Sequence, residues 1–195
     1  MIAYIEGILT EKNPTSVVID NKGIGYAVFV SLNTYTKLPA QGAVCKLFTH
    51  LQIKEDAHTL YGFAGKEERE LFRLLISVSG IGANTAQMLL SSANPSELQS
   101  WISSGNVSAL QAVKGIGAKT AQRLIIELKD KLIKSGLDVT VSAVSGSNVR
   151  NEALSALVSL GFAKPTAEKA VDKILKTFDG EPSIEVLIKE ALKML

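Results

Sequence analysis

The chain has 195 residues, enough for one medium domain or two to three small ones. Its 21 basic and 19 acidic side chains leave a net charge of +2, a total that neither supports nor excludes nucleic acid, because distribution decides that. The single cysteine, Cys45 in an apolar run, excludes an internal disulfide or a zinc cage and reads as a small core residue. No apolar run approaches membrane-spanning length, and Met1–Gly7 lacks the basic region of a secretory signal, so a cytoplasmic protein is expected.

Residues 1–65 read as strands. Ile2–Thr10, Ser16–Asp20, Tyr26–Val30, Val44–Ile53 and Thr59–Phe63 are rich in β-branched and aromatic residues. They are separated by turn signals at Asn13-Pro14, Asn21-Lys22-Gly23, Pro39 with Gly42, and Glu55-Asp56. Short strands of this kind suggest a small barrel, with the OB fold as the leading candidate.

Residues 66–134 have helical periodicity: Glu67–Val78, Thr85–Leu90, Ser96–Ser103, Val107–Val113 and Lys119–Leu132, with Ser96 as the expected N-cap after Asn94-Pro95. Residues 135–148 hold four serines, two glycines and one charge, the composition of a flexible linker. Residues 149–195 read as three short helices, the second and third each carrying one apolar stripe (Ala167 to Phe178 and Ile184 to Leu195). Pro165 suits a first helical position and Ser183 an N-cap. The expected fold class is α+β and multidomain: an OB-type β-barrel, a middle helical domain, a linker and a three-helix C-terminal domain.

The middle segment repeats itself at an offset of 35 residues. Val78-Ser79-Gly80-Ile81-Gly82-Ala83-Asn84-Thr85-Ala86-Gln87 aligns with Val113-Lys114-Gly115-Ile116-Gly117-Ala118-Lys119-Thr120-Ala121-Gln122, eight of ten positions being identical. In each copy a Gly-Ile-Gly turn allows positive φ and close approach of a ligand, and the isoleucine plugs the turn into the core. A helix begins directly after the turn, so backbone N–H groups at the positive end of its dipole suit a phosphate. Thr85 and Thr120 each add a hydroxyl, and Lys114 and Lys119 flank the second turn. None of these groups reads a base edge, so the contact is expected to be positional and blind to sequence. Two such helix–hairpin–helix motifs suit the two phosphate strands flanking a minor groove. Charge distribution agrees. Residues 1–65 hold five basic and five acidic side chains, and 149–195 hold seven of each, whereas 66–134 hold nine basic and six acidic.

Catalytic signatures are missing from the sequence. Gly115-Ile116-Gly117-Ala118-Lys119-Thr120 lacks the spacing and the adjacent Gly-Lys of a Walker A loop, so no ATP hydrolysis by this chain is expected. His50 and His58 have no metal-ligand spacing with other candidates, and no nucleophile motif occurs. No resident cofactor or metal is expected.

The order of barrel, paired hairpins, linker and small helical domain closely resembles the bacterial RuvA family, Holliday-junction-binding subunits of branch-migration complexes. The resemblance rests on Gly23-Ile24-Gly25-Tyr26, on Glu55-Asp56-Ala57 leading to Leu60-Tyr61-Gly62-Phe63, on both hairpins, and on the segments around Ala153–Phe162 and Glu190–Leu195. It implies domains at 1–65, 66–134 and 149–195, the last of ubiquitin-associated (UBA-like) type. It also implies a homotetramer, two of which can sandwich an open junction as an octamer. Each subunit would hold one arm, and the C-terminal domain would bind a RuvB-type AAA+ ATPase, which uses the ATP and magnesium. A RuvC-type resolvase is a further partner that the resemblance admits.

By residue, the DNA contacts expected are Gly80, Gly82, Thr85, Lys114, Gly115, Gly117, Lys119, Thr120 and Arg123, with Lys54 beside the turn. From sequence alone Glu55-Asp56 is an exposed acidic turn between strands; the resemblance makes it an acidic pin directed at the junction centre. One carboxylate about 10 Å from a phosphate in water is repelled by only ~0.4 kcal/mol, so such pins act only as a symmetric set. The first hairpin, with Ser79 and Asn84, lacks the lysine that RuvA-like proteins often carry near Asn84. Its grip is expected to rest on backbone amides and Thr85, and Arg123 is assigned with Lys114 and Lys119 to the second hairpin.

Two other functions fit parts of the pattern. One is a hairpin-type DNA glycosylase, whose catalytic aspartate would have to be Asp138, in the linker. The other is a general duplex-DNA repair adaptor without junction selectivity.

Overall fold

The computed structural model describes residues 1–135, 146–178, 180 and 182–195, and the chain divides into two compact units, Met1–Val139 and Thr140–Leu195. Of the linker expected over 135–148, residues 136–145 with Asp138 lie outside the described residues, while Ser135 ends one helix and 146–148 begin another.

The first unit begins with strands β1 (Tyr4–Lys12), β2 (Ser16–Asn21) and β3 (Ile24–Val30), a short helix α1 (Leu32–Lys37), and strands β4 (Val44–Ile53) and β5 (His58–Phe63). They close into a five-stranded barrel of order β1-β2-β3-β5-β4, as the sequence led us to expect. Strand alternation fills it: Leu9, Val17, Ile19, Val28 and Leu47 point inward, while Glu6, Ile8, Val44 and Lys46 stay outside. Asn21 pairs with Ile24 across Lys22 and Gly23, both at positive φ, the tight hairpin that this dipeptide favours. All pairings are antiparallel except the closing seam, where Phe29 pairs with Tyr61 and Val30 with Gly62 in parallel. Gly62 is required there, since a Cβ would come within 2.5 Å of Val28 Cγ1 and 2.9 Å of Leu47 Cδ1.

Helix α1 was not foreseen. Ser31 caps it, its Oγ accepting from the Thr34 N–H at 3.0 Å, and the helix is too short to show a period.

Helices α2 (Lys66–Ile76), α3 (Ala83–Ser92), α4 (Pro95–Ser103), α5 (Val107–Gln111) and α6 (Ala118–Ser135) follow. Helix α4 is capped by Asn94 rather than Ser96: Pro95 takes the first helical position, and Asn94 and Glu97 form a reciprocal capping box. The helices share one core with the end of the barrel. Phe72 of α2 packs its ring 5.1 Å from Tyr61 and 5.0 Å from Phe63, centroid to centroid, and Leu71, Leu75, Leu89, Leu98, Leu110, Leu124 and Leu128 complete it.

A buried polar knot joins the same two parts. Glu68 of α2, 2% exposed, accepts from Ser31 Oγ at 2.5 Å and from Thr34 Oγ1 at 2.8 Å, and Thr34 Oγ1 in turn accepts from the Ala64 N–H at 3.0 Å. Each buried polar group thereby has a partner, as its burial requires.

The second unit is three helices, α7 (Gly146–Ser159), α8 (Lys164–Thr177) and α9 (Ile184–Leu192), around Ala153, Leu157, Ala167, Val171, Ile174, Leu187 and Ala191. Helix α7 starts at Gly146, earlier than residue 149. Pro165 sits second in α8 rather than first, behind Lys164, while Ser183 caps α9 as expected. A two-pronged pair, Arg150 Nε to Asp172 Oδ1 at 2.7 Å and Nη2 to Oδ2 at 3.0 Å, links α7 to α8. The hydrogen bond from Arg150 holds the Asp172 carboxyl below its ordinary range.

Candidate nucleic-acid interface

The two repeats fold alike, bond for bond. In the first, the Val78 N–H donates to Leu75 O (3.1 Å), Ile81 N–H to Val78 O (3.0 Å) and Ala86 N–H to Gly82 O (3.0 Å). Their counterparts in the second are Val113 to Leu110 (3.2 Å), Ile116 to Val113 (3.1 Å) and Ala121 to Gly117 (2.9 Å). Gly80 and Gly115 each take φ 90°, a conformation that other residues adopt only under strain. Ile81 and Ile116 are buried as plugs, 4% and 6% exposed.

The second glycine of each turn has another role. Gly82 is the N-cap of α3 in extended backbone at φ −86°, so positive φ belongs only to the first glycine of the pair. No side-chain oxygen caps the first-turn N–H groups of α3, and a Cβ added at Gly82 or Gly117 would meet nothing within 4 Å. A phosphate can therefore reach the peptide N–H groups at the helix start. Thr85 and Thr120 are half-buried beside these turns, and Lys119 is exposed in the first turn of α6. Lys114 is exposed too, and borders a 480 Å³ groove with Phe29, Leu32, Tyr61, Met88 and Val113.

Arg123 is not where the sequence suggested. Its guanidinium reaches the first hairpin, Nη1 donating to Ser79 O at 3.2 Å, while Nε lies 3.9 Å from Glu127 Oε1 one turn along α6. One turn further, Lys131 Nζ donates to Ser77 Oγ at 3.1 Å, at the end of α2. Arg123, Glu127 and Lys131 thus form one stripe of α6 along the first motif. Residue spacing within a single motif could not reveal this, because the contact crosses between repeats.

Glu55 and Asp56 are exposed at the tip of the β4–β5 hairpin, a tight turn closed by the Lys54 N–H donating to Ala57 O at 2.8 Å. Lys54 is exposed at its base. Among the described residues, no three His, Cys, Asp or Glu are grouped to hold a metal ion, and no helix is long and apolar enough to cross a membrane.

Duplicated Gly-Ile-Gly turns, each opening a helix and packed with a closed barrel, define a DNA-binding protein of the tandem helix–hairpin–helix class. Residues 1–62 match the RuvA N terminal domain, 72–130 the SAM-like helix-hairpin-helix tandem, and 148–195 the RuvA C-terminal domain. The chain is 55% identical over 196 residues to the Holliday junction branch migration complex subunit RuvA of Flavobacterium psychrophilum. It is 54% identical over 195 residues to that of Christiangramia forsetii and 51% over 205 residues to that of Bacteroides fragilis, with the whole of both chains covered in every case. The chain belongs to the RuvA family.

Proposed function

We propose that the chain is the Holliday-junction-binding subunit of a branch-migration complex, holding the four-way junction open and recruiting a RuvB-type ATPase during recombination and repair. The observation that carries this is the pair of bond-for-bond equivalent hairpins in a chain that aligns end to end with RuvA subunits. Each hairpin offers one phosphate strand the peptide N–H groups beside Gly80 and Gly82 or Gly115 and Gly117, with Thr85 or Thr120 as an added donor. Lys114 and Lys119 add charge at the second, and Lys54 at the base of the β4–β5 turn. The grip is on backbone phosphates and therefore independent of sequence.

Junction selectivity comes from assembly. Four copies around a fourfold axis bring four Glu55-Asp56 tips together at the crossover, where they repel continuous duplex and help to part the strands. The working form is a homotetramer or two of them face to face, in the cytoplasm. The subunit has no catalytic role; ATP and magnesium belong to the motor. The barrel, the hairpin domain that ends with α6 at Ser135, and the C-terminal unit whose first helix begins at Gly146 divide the labour.

The C-terminal unit docks the motor. Core and surface separate within it: Val158, Leu160, Phe178, Leu192 and Met194 are 40–60% exposed, while the stripes between them are buried. These exposed apolar side chains are the contact candidates. A RuvC-type resolvase would meet the same DNA complex.

The test is a titration of junction, duplex and single strands with the mass of each complex measured in parallel. Preferential junction binding in multiples of four chains is expected. Equal affinity for junction and duplex would establish the adaptor function instead.

A further inference from the structure

The repeat offset of 35 residues carries Met88 of α3 onto Arg123 of α6. The structure gives these two side chains the same task in opposite directions. Met88 reaches across to the second hairpin, its Cε lying 3.5 Å from the place a Cβ would take on Gly115. Arg123 reaches across to the first, bonding Ser79 O at 3.2 Å. The motifs are thus exchanged: the helix that follows each turn supports the other turn. One support is apolar and the other cationic.

We infer that Arg123 is the phosphate cation of the first hairpin, supplied in trans by the second motif; the inference rests on the junction-binding function proposed above. The first turn needs it for two reasons. Its own positions 79 and 84 are serine and asparagine where the second turn has Lys114 and Lys119. The Ser79 carbonyl also presents partial negative charge beside an arriving phosphate, which the guanidinium offsets. A guanidinium has five N–H donors in a rigid fork, so one can hold Ser79 O while others bond phosphate oxygen. Arg123 is free enough to do both, with 53% of its side chain exposed. Glu127, 3.9 Å from Nε, is a competitor that a phosphate would have to displace from the fork. The two hairpins are consequently closer to equal in charge than their own sequences imply.

The experiment is a set of coupled substitutions in the full chain, read by junction-binding affinity and its salt dependence. Arg123→Ala is expected to weaken binding on the order of tenfold and to reduce the slope of log affinity against log salt by about 1. Arg123→Gln keeps a donor for Ser79 O without the charge, and is expected to lose the same slope. Asn84→Lys, which gives the first turn its own cation, should strengthen Arg123→Ala by several-fold more than it strengthens the unaltered chain. Arg123→Ala and Lys119→Ala should combine additively, as separate hairpins do. The inference is overturned if Asn84→Lys has the same effect in both backgrounds, or if Arg123 couples to Lys119 and not to position 84. Junction binding by the unaltered chain is the control: its absence would count against the proposed function itself, whereas its presence with no coupling to position 84 would count against Arg123 alone.

Discussion

Removing the Glu68 carboxyl should weaken the barrel and the hairpins together. Ser31 and Thr34 both donate to it from inside the protein, and their hydroxyl oxygens already accept from the Thr34 and Ala64 N–H groups. In Glu68→Ala the two hydroxyl protons have no acceptor, and each orphaned buried group costs about 1–3 kcal/mol, so the total is roughly 2–6 kcal/mol. Glu68→Gln keeps one carbonyl oxygen and should cost about half as much. Trp101, the single tryptophan, packs half-buried against the hairpin core, so its fluorescence follows the first unit in the full chain without interference from the second. With a urea m-value of about 2 kcal/mol/M, Glu68→Ala should lower the midpoint by roughly 1–3 M. A midpoint within experimental error of the unaltered protein, or a larger loss for Glu68→Gln than for Glu68→Ala, would refute the hydrogen-bond accounting.

Lys119→Ala should reduce the salt slope of junction binding by about 1 for each engaged hairpin; an unchanged slope removes Lys119 from the contact set. Replacing Glu55 and Asp56 by Gln and Asn should strengthen plain-duplex binding and lower the junction-to-duplex affinity ratio in a competition titration, and an unaltered ratio would end the pin's assigned role. Burial first, then the nearby Arg73 and Arg69, lower the pKa of His50 below 6.5 against the opposing pull of Glu70. The unfolded chain therefore takes up the proton more readily, and stability should fall as pH drops through about 6.5. In thermal melts His50→Phe should remove that part of the pH dependence, its ring keeping the packing on Phe72, 5.4 Å away centroid to centroid.

Local signals carried much of the fold. Strand alternation around Val17 and Ile19, the Lys22-Gly23 turn and the duplicated Gly-Ile-Gly turns are each set by neighbours in sequence, and each is found where its residues indicate. The departures come from elsewhere. Helix α1 is too short for a period and stands on the Ser31 cap and on contacts with α2, some 37 residues distant. Ser96 lost the cap of α4 because Pro95 is better placed inside the helix than before it. Arg123 looked like a member of the second hairpin because it follows that turn in sequence. Only packing shows that it faces Ser79, 44 residues earlier. In the C-terminal unit, a periodic stripe such as Ile184 to Leu195 contains both core and surface: Leu187 and Ala191 are buried but Leu192 is exposed.

The parallel seam has a bearing on how the molecule forms. Only two residue pairs, Phe29 with Tyr61 and Val30 with Gly62, close the ring, and they join segments more than thirty positions apart. Non-local pairing of that kind carries a loop-closure cost before it returns any stability. Ser31 and Ala64 immediately follow the two seam strands, and both are tied through Thr34 and Glu68 to α2. Helix α2 is thus a template for ring closure as well as the first helix of a hairpin motif. The β1–β2, β2–β3 and β4–β5 pairings are local hairpins, whereas β1–β4 (Ile8 with Val44) and the parallel seam both join segments more than thirty positions apart. Through its ties to Ser31 and Ala64, helix α2 couples the seam side of ring closure to formation of the first hairpin.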